Sequence, residues 1–213
     1  MKSLEKYKVI LWDFDGVILD SMKVRADGFK WVLQDYPQDQ VSNLILFHEC
    51  NGGLSRYVKF RYFFNQIRNE PVEEDTVKNL SELFSRYMKE RLTAKELLIQ
   101  DSLQFLVSQF GKKDMHIVSG SDQNELRFLS KELEIVQFFQ SINGSPTPKS
   151  ILISELVHNY RLHPEQVLLI GDSINDLEAA KSNSIDFAGY NNPDLQSEGV
   201  MYIHSFTSDF AVN

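Results

Sequence analysis

The sequence predicts an α/β fold: a parallel sheet covered by helices on both faces, with an all-helical segment inserted after the first strand. Short apolar runs recur at residues 9–12, 115–118, 167–170 and 185–188, each closed by a Gly or Asp turn. Runs of this kind separated by helical stretches are what strands buried on both faces look like. Between the first run and the second, from about residue 21 to 98, there is no strand signal. Helix-like segments follow one another there, at 24–33, 55–68 and 73–90, with breaks at Asp35-Tyr36-Pro37 and Asn69-Glu70-Pro71. Such a stretch is too long for a crossover connection and reads as a domain of its own. The expected division is a core of residues 1–19 and 99–213 and a helical domain of residues 20–98. A further run at 200–203 reads as an edge strand.

The chain has 213 residues, enough for one substantial core and a smaller second unit. Its 42% hydrophobic and 24% charged residues are those of an ordinary globular protein. A formal net charge of −8 repels phosphate backbones, so no nucleic-acid polymer is expected as partner, while small anions can still enter a local positive field. Cys50 is the single cysteine, which excludes an intramolecular disulfide. The charged start, Met1 to Lys6, is followed by an apolar run that ends at Asp13, too short for a signal peptide or a membrane span. No membrane partner and a cytoplasmic location are expected.

In open α/β sheets, ligands bind beyond the carboxyl ends of the strands. The run at 9–12 delivers Asp13-Phe14-Asp15-Gly16, that at 115–118 delivers Ser119-Gly120-Ser121, and that at 167–170 delivers Gly171-Asp172-Ser173-Ile174-Asn175-Asp176. Four carboxylates brought together raise one another's pKa values, and a hard divalent cation relieves the repulsion. Magnesium suits a cluster with few protein ligands and several waters. Asp172 taken singly would read as a helix N-cap. An EF-hand loop needs its glycine at position six, whereas this one has it at position four. The gathering at three strand ends is what favours a site. Asp122 and Glu125 have capping-box spacing, so a helix is expected to begin just after Ser121 with its positive end toward the site. Asp176 lies one helical turn beyond Asp172 and is expected to face the metal from behind its ligands or through water.

These residues resemble a known family. Asp13-Phe14-Asp15-Gly16-Val17-Ile18-Leu19-Asp20-Ser21 is similar to the first motif of haloacid dehalogenase-like phosphatases, Ile117-Val118-Ser119-Gly120 to the second, and Gly171 to Asp176 to the fourth. Gly144-Ser145-Pro146-Thr147-Pro148-Lys149 matches the Gly-Ser-Pro-x-x-Lys form of the third, with Lys149 as its lysine. The order spans the chain, and the insert lies where the helical-cap branch, which includes phosphoglycolate phosphatases and β-phosphoglucomutases, carries its cap. The resemblance implies a Rossmann-like core and a phosphatase acting on a small phosphorylated molecule. Asp13 would be the nucleophile, transiently phosphorylated, and Asp15 the general acid and base. Magnesium would be held by Asp13, the Asp15 backbone carbonyl and Asp172, and the phosphoryl oxygens by Ser119, the Gly120 amide and Lys149. The acid at position 15 argues against dehalogenation, because halide departure needs no proton.

Within the insert, Gly53-Leu54-Ser55-Arg56 resembles a cap loop of β-phosphoglucomutase, which makes Arg56 a candidate grip on the distal end of a sugar phosphate or sugar acid. Ser21 and Arg25 are further candidate substrate contacts. Lys59 and Arg61 read as an exposed basic face. A sugar phosphomutase is the first alternative, weakened because Arg25 stands where the mutase has a histidine and Asp122 where it has a basic residue. A silent binding module is the second, weakened because none of the motifs is broken. His48 is expected in a structural role, His116 in a buried strand with a local hydrogen bond, and His158, His163 and His204 on the surface.

Overall fold

The computed structural model describes residues 4–198 and 200–210; residues 1–3 and 211–213, at the ends of the expected core, and Gly199 lie outside the described residues. Among the described residues six strands form one wholly parallel sheet: β1 (Val9–Trp12), β2 (Asp114–Asp122), β3 (Ser141–Ser145), β4 (Val167–Gly171), β5 (Asp186–Tyr190) and β6 (Met201–Ile203). Their order is β3-β2-β1-β4-β5-β6, so β1 lies at the centre with the chain winding outward on both sides. This is the Rossmann-like order, and the point where the winding reverses falls between β1 and its neighbours. The period-2 geometry of a strand divides β1 between two cores. Ile10 and Trp12 join Phe105, Leu126, Leu129 and Phe206 on one face, and Val9 and Leu11 join Leu152, Leu156, Leu177 and Ala180 on the other.

The helices are α1 (Met22–Val32), α2 (Gln38–Cys50), α3 (Arg56–Tyr62), α4 (Glu74–Arg91), α5 (Gln100–Gln109), α6 (Gln123–Glu132), α7 (Lys149–Asn159), α8 (Ile174–Ser182) and α9 (Phe206–Asp209). None of the described helices is long and apolar enough to cross a membrane. The four expected strands and the edge strand all form. β3 was not expected: Ser141-Ile142-Asn143-Gly144-Ser145 lacks an apolar run, and it is held by pairing with β2 at the sheet edge. The helix expected over 55–68 is also not uniform, because α3 passes into a π-helical turn at Phe63–Ile67.

Helices α1–α4 pack around the aromatic rings of Phe29, Phe60 and Phe84, with Phe29 4.5 Å from Phe84 and 5.3 Å from Phe60. The chain enters and leaves this helical segment side by side. Leu19 bridges Leu98, the Asp20 amide donates to the Leu97 carbonyl at 2.8 Å, and the Ile99 amide donates to that of Ile18 at 2.9 Å.

Under the sheet, Phe105 is fully buried, with its ring 6.0 Å from that of Trp12 and 4.6 Å from that of Phe206. Phe105→Ala should therefore lose about 3–5 kcal/mol of stability, read as a lower urea midpoint at an unchanged denaturant slope. A loss within experimental error would show that this stack does not anchor the core.

Candidate active site

Each acidic residue reaches the site because a strand ends where it does. Asp13 follows β1, and its amide continues the ladder to the Ile170 carbonyl at 2.9 Å, placing its carboxylate above the sheet. Gly16, at φ +74°, turns the chain back sharply; a Cβ there would lie 1.9 Å from Asp172 Oδ2. The glycine thus gives the left-handed turn and also the space into which Asp172 fits. At the start of α8 a capping box forms, with the Asp176 amide donating to Ser173 Oγ at 3.3 Å and the Ser173 amide to Asp176 Oδ2 at 3.1 Å.

Oxygens of Asp13, Asp172 and Asp176 lie within 4.8 Å of one another. Lys149, at the first turn of α7 and buried, pairs with Asp13 at 3.0 Å and with Asp176. Asp176 is thereby satisfied by Lys149 and Ser173, and Asp13 Oδ1 accepts from the Phe14 amide at 2.8 Å. The Asp172 carboxylate makes no hydrogen bond or ion pair among the described residues. Burial, together with the charge of Asp176, raises Asp13 to about 7, and burial with the charges of Asp13 and Asp176 holds Asp172 well above the usual carboxylate range. Hard oxygen donors in excess of the cation beside them fit a divalent metal ion.

Asp15 is held differently. Burial alone would raise it, but Arg25 and the hydroxyls of Ser121 and Ser21 outweigh that and hold it below the ordinary carboxylate range. Arg25 Nε donates to Asp15 Oδ1 at 2.5 Å, Ser121 Oγ to Oδ2 at 2.5 Å, and Ser21 Oγ to Oδ1. Arg25 also donates to Glu125 Oε1 at 3.1 Å, and Arg56 pairs with Glu125 Oε2 at 2.6 Å and donates to Ser85 Oγ at 2.6 Å. Glu125 is fully buried, so a core helix holds two arginines of the helical insert on one carboxylate. Asp122 caps α6 through the Asn124 and Glu125 amides, both at 3.0 Å, and also accepts from Tyr57 Oη of the insert at 2.8 Å.

Ser119 and Gly120 end the apolar part of β2. Gly120 meets the insert: a Cβ on it would lie 2.3 Å from the Gly53 carbonyl oxygen, so the insert's loop rests on the strand end itself. Asp13, Asp15, Ser119, Gly120, Arg25 and Arg56 line one cavity of about 20 Å³, enough for about one water molecule.

One expectation is corrected by this geometry, that for Lys59. Ser21 and Arg25, expected as substrate contacts, both bond Asp15, because their positions at the start of α1 bring them back over the first strand end. Lys59, expected on an exposed face, is buried, with its Nζ 2.9 Å from His48 Nδ1 and 3.2 Å from the Gly52 carbonyl. Arg61 does lie outside, paired with the exposed Glu74. His116 is buried against Ser141 Oγ at 2.8 Å. Ser121, Glu125, Lys59 and His48 are site residues that sequence reasoning did not select. Ser121 stood at an expected strand end, and Glu125 showed capping-box spacing, although its side chain goes to the arginines instead.

A parallel sheet in Rossmann-like order, with clustered acids at the reversal of its winding and a helical insert above them, defines a class of α/β enzyme. The chain belongs to the haloacid dehalogenase-like hydrolase family, whose sequence pattern matches residues 10–190. It is 22% identical to a phosphoglycolate phosphatase of Colwellia psychrerythraea, over 87% of this chain and 85% of that one. It is 23% identical to a phosphorylated carbohydrates phosphatase of Thermotoga maritima, over 84% and 82%. Among solved structures, the fold is similar to β-phosphoglucomutase of Clostridium difficile, with a TM-score of 0.75, 16% identity and coverage of 95% and 92%. A haloacid dehalogenase-like family protein of Streptococcus pneumoniae superposes with a TM-score of 0.69, 19% identity and coverage of 93% and 94%.

The raised acids make a pH prediction for the metal-free protein. In the unfolded chain Asp13 titrates in the ordinary carboxylate range, and in the fold near 7. The stability its protonated form contributes is complete below that ordinary range and is lost as pH rises through about 7. Asp172 acts in the same direction, while Asp15 stays ionised throughout this window. The thermal midpoint should fall between about pH 5 and pH 8, and magnesium should raise it most at the upper end. A midpoint independent of pH and of magnesium would contradict this reading of the cluster.

Proposed function

We propose that the chain is a magnesium-dependent phosphatase of small phosphomonoesters, with Asp13 as nucleophile and Asp15 as general acid and base. A phosphorylated sugar or sugar acid is the favoured substrate. The observation that carries this reading is that two carboxylates two residues apart are given opposite environments. Asp13 sits in the acidic cluster beside Lys149, and Asp15 is gripped by Arg25 and two hydroxyls. Asp13, Asp172 and the Asp15 carbonyl are the proposed metal ligands, with Asp176 behind them holding Lys149. A magnesium ion bound there supplies the positive charge that favours ionised Asp13 and offsets its repulsion of the phosphate.

An oxygen of Asp13 attacks phosphorus, the bond from phosphorus to the ester oxygen breaks, and Asp15 gives its proton to the departing alkoxide. Asp15 then takes a proton from the water that attacks the aspartyl-phosphate, releasing inorganic phosphate and restoring Asp13. Ser119, the Gly120 amide and Lys149 bind the phosphoryl oxygens. In the closed state Arg25 favours ionised Asp15, so the acid role requires Arg25 to withdraw. We assign that movement to residues 20–98 acting as a cap, hinged where Leu19 and Leu98 bridge. The cavity of about 20 Å³ supports the same conclusion, because a phosphomonoester enters only when the insert lifts.

Phosphate release from a panel of phosphorylated metabolites, with and without magnesium, tests the reading. Asp13→Asn should reduce turnover by at least about 10³-fold and Asp15→Asn by about 10²–10⁴-fold. Turnover that persists in Asp13→Asn would remove it as nucleophile, and conversion of one sugar phosphate isomer to another without release would favour the mutase. Arg25→Gln removes the charge that holds Asp15 low, so the alkaline limb of the pH profile for kcat/KM should move upward. An unmoved limb would separate Asp15 from the acid step.

A further inference from the structure

Two asparagines just beyond β5, Asn191 and Asn192, reach back to the loops that carry the acidic cluster. Asn191 Nδ2 donates to the Gly16 carbonyl at 3.0 Å, and Asn192 Nδ2 donates to the Asp172 carbonyl at 2.8 Å. β4 lies between β5 and β1, so Asn191 crosses the end of β4 to reach the first loop. The backbone is set for this reach. Asn191 lies at φ +56°, in the left-handed region that asparagine enters more readily than most residues with a side chain. Asn192 precedes Pro193, whose ring restricts the backbone before it. Its Oδ1 accepts from the Asp194 amide at 3.1 Å, which orients the carboxamide with Nδ2 toward Asp172.

Both contacts fall on peptides beside proposed metal ligands. The Asp172 carbonyl and the Ser173 N–H belong to one planar peptide. That peptide is held at both ends, by Asn192 and by Asp176 Oδ2 at 3.1 Å. Gly16, conformationally free for lack of a Cβ, is also held on both sides. Its amide donates to the Leu19 carbonyl at 2.8 Å, and its carbonyl accepts from Asn191. The Asp15 carbonyl shares a peptide plane with that Gly16 amide, so fixing the one fixes the direction of the other. The Asp172 carboxylate sits against the same glycine, its Oδ2 1.9 Å from where a Cβ would stand.

We propose that Asn191 and Asn192 are positioning residues for the metal ion, holding the Asp15 carbonyl and the Asp172 carboxylate at a fixed separation before the ion arrives. They act through the backbone of Gly16 and Asp172. The inference rests on the proposed assignment of those two groups as ligands. Magnesium demands near-octahedral geometry at short distances, whereas calcium accepts a larger and looser shell, so such a clamp favours magnesium. Loss of the groups that orient metal ligands typically costs about 10–100-fold in affinity.

The experiment is titration calorimetry with magnesium and with calcium, without substrate, on wild type, Asn191→Gly and Asn192→Ala. Glycine keeps the left-handed backbone at 191 and removes only the carboxamide. Each substitution should weaken magnesium by at least about tenfold and calcium by no more than about threefold. An unchanged magnesium affinity, or an equal loss for both ions, would overturn the proposal. A residue that only anchored its loop would lower the thermal midpoint in EDTA and leave the preference between ions as it was. Asp172→Asn separates the two readings. If the wild type binds no magnesium, or Asp172→Asn binds it equally well, the ligand assignment fails and the proposal with it. Binding lost in Asp172→Asn but kept in both asparagine variants removes the proposal alone. Where a variant does not fold, nitrogen-15 relaxation on the wild type decides. The Gly16 and Ser173 amides should have order parameters of about 0.85 with and without magnesium. Amides that become ordered only when magnesium binds would contradict a clamp formed in advance.

Discussion

Buried carboxylates repel one another, and the arrangement at the ends of β1 and β4 follows from where the compensating cations are placed. Lys149 comes from the first turn of a helix after β3, a strand at the sheet edge, and reaches across to Asp13 and Asp176. With Asp176 also tied into the cap of α8, the remaining negative charge is concentrated on Asp13 and Asp172. The geometry of the sheet makes this possible. Only neighbouring parallel strands bring two such acids to the same level, and only a glycine at position 16 lets Asp172 approach the first loop so closely.

The second acid of the first loop belongs to a different circuit. Asp15, Arg25, Glu125 and Arg56 form a continuous chain of charges that passes from core to insert, back to core and out to the insert again. Tyr57 adds a neutral tie to Asp122 on the same core helix. The insert is thus held on the core by the groups that also decide the ionisation of Asp15. Any movement that separates Arg25 from Asp15 changes the proton affinity of the acid at the moment the cavity opens to solvent. No separate sensor is required for such coupling, because the contact that closes the site and the contact that holds the proton balance are one.

The sequence made legible whatever depends on neighbours along the chain. The runs at 9–12 and 167–170 are apolar because those strands are covered on both faces, and Asp13 and Asp172 stand out because they end such runs. β3 did not show itself, since Ser141-Ile142-Asn143-Gly144-Ser145 pairs on one side only and needs no apolar run. Lys59 looked like a surface residue because nothing in its own helix offers its ammonium a partner; its partners are His48, eleven residues earlier, and the Gly52 carbonyl, brought over by the turn between α2 and α3. Glu125 gave a helix-start signal and nothing more, because its partner Arg25 is 100 residues away. The hold of Ser21 and Arg25 on Asp15 was hidden for the same reason, as it crosses a loop that only the folded chain closes.

The balance of charge in the closed cavity points to how such an enzyme distinguishes ligands from water. A site that satisfied all its cations internally would gain little by admitting an anion, since each ion pair formed would replace one broken. Here Glu125 is shared between two arginines, and Lys59 has only neutral acceptors at hydrogen-bond distance. On the core side, Asp13 of that cavity and its neighbour Asp172 carry negative charge in excess. In the proposed reaction a phosphomonoester would answer the first imbalance and a divalent cation the second. Closure of the insert is then most favourable when both are present.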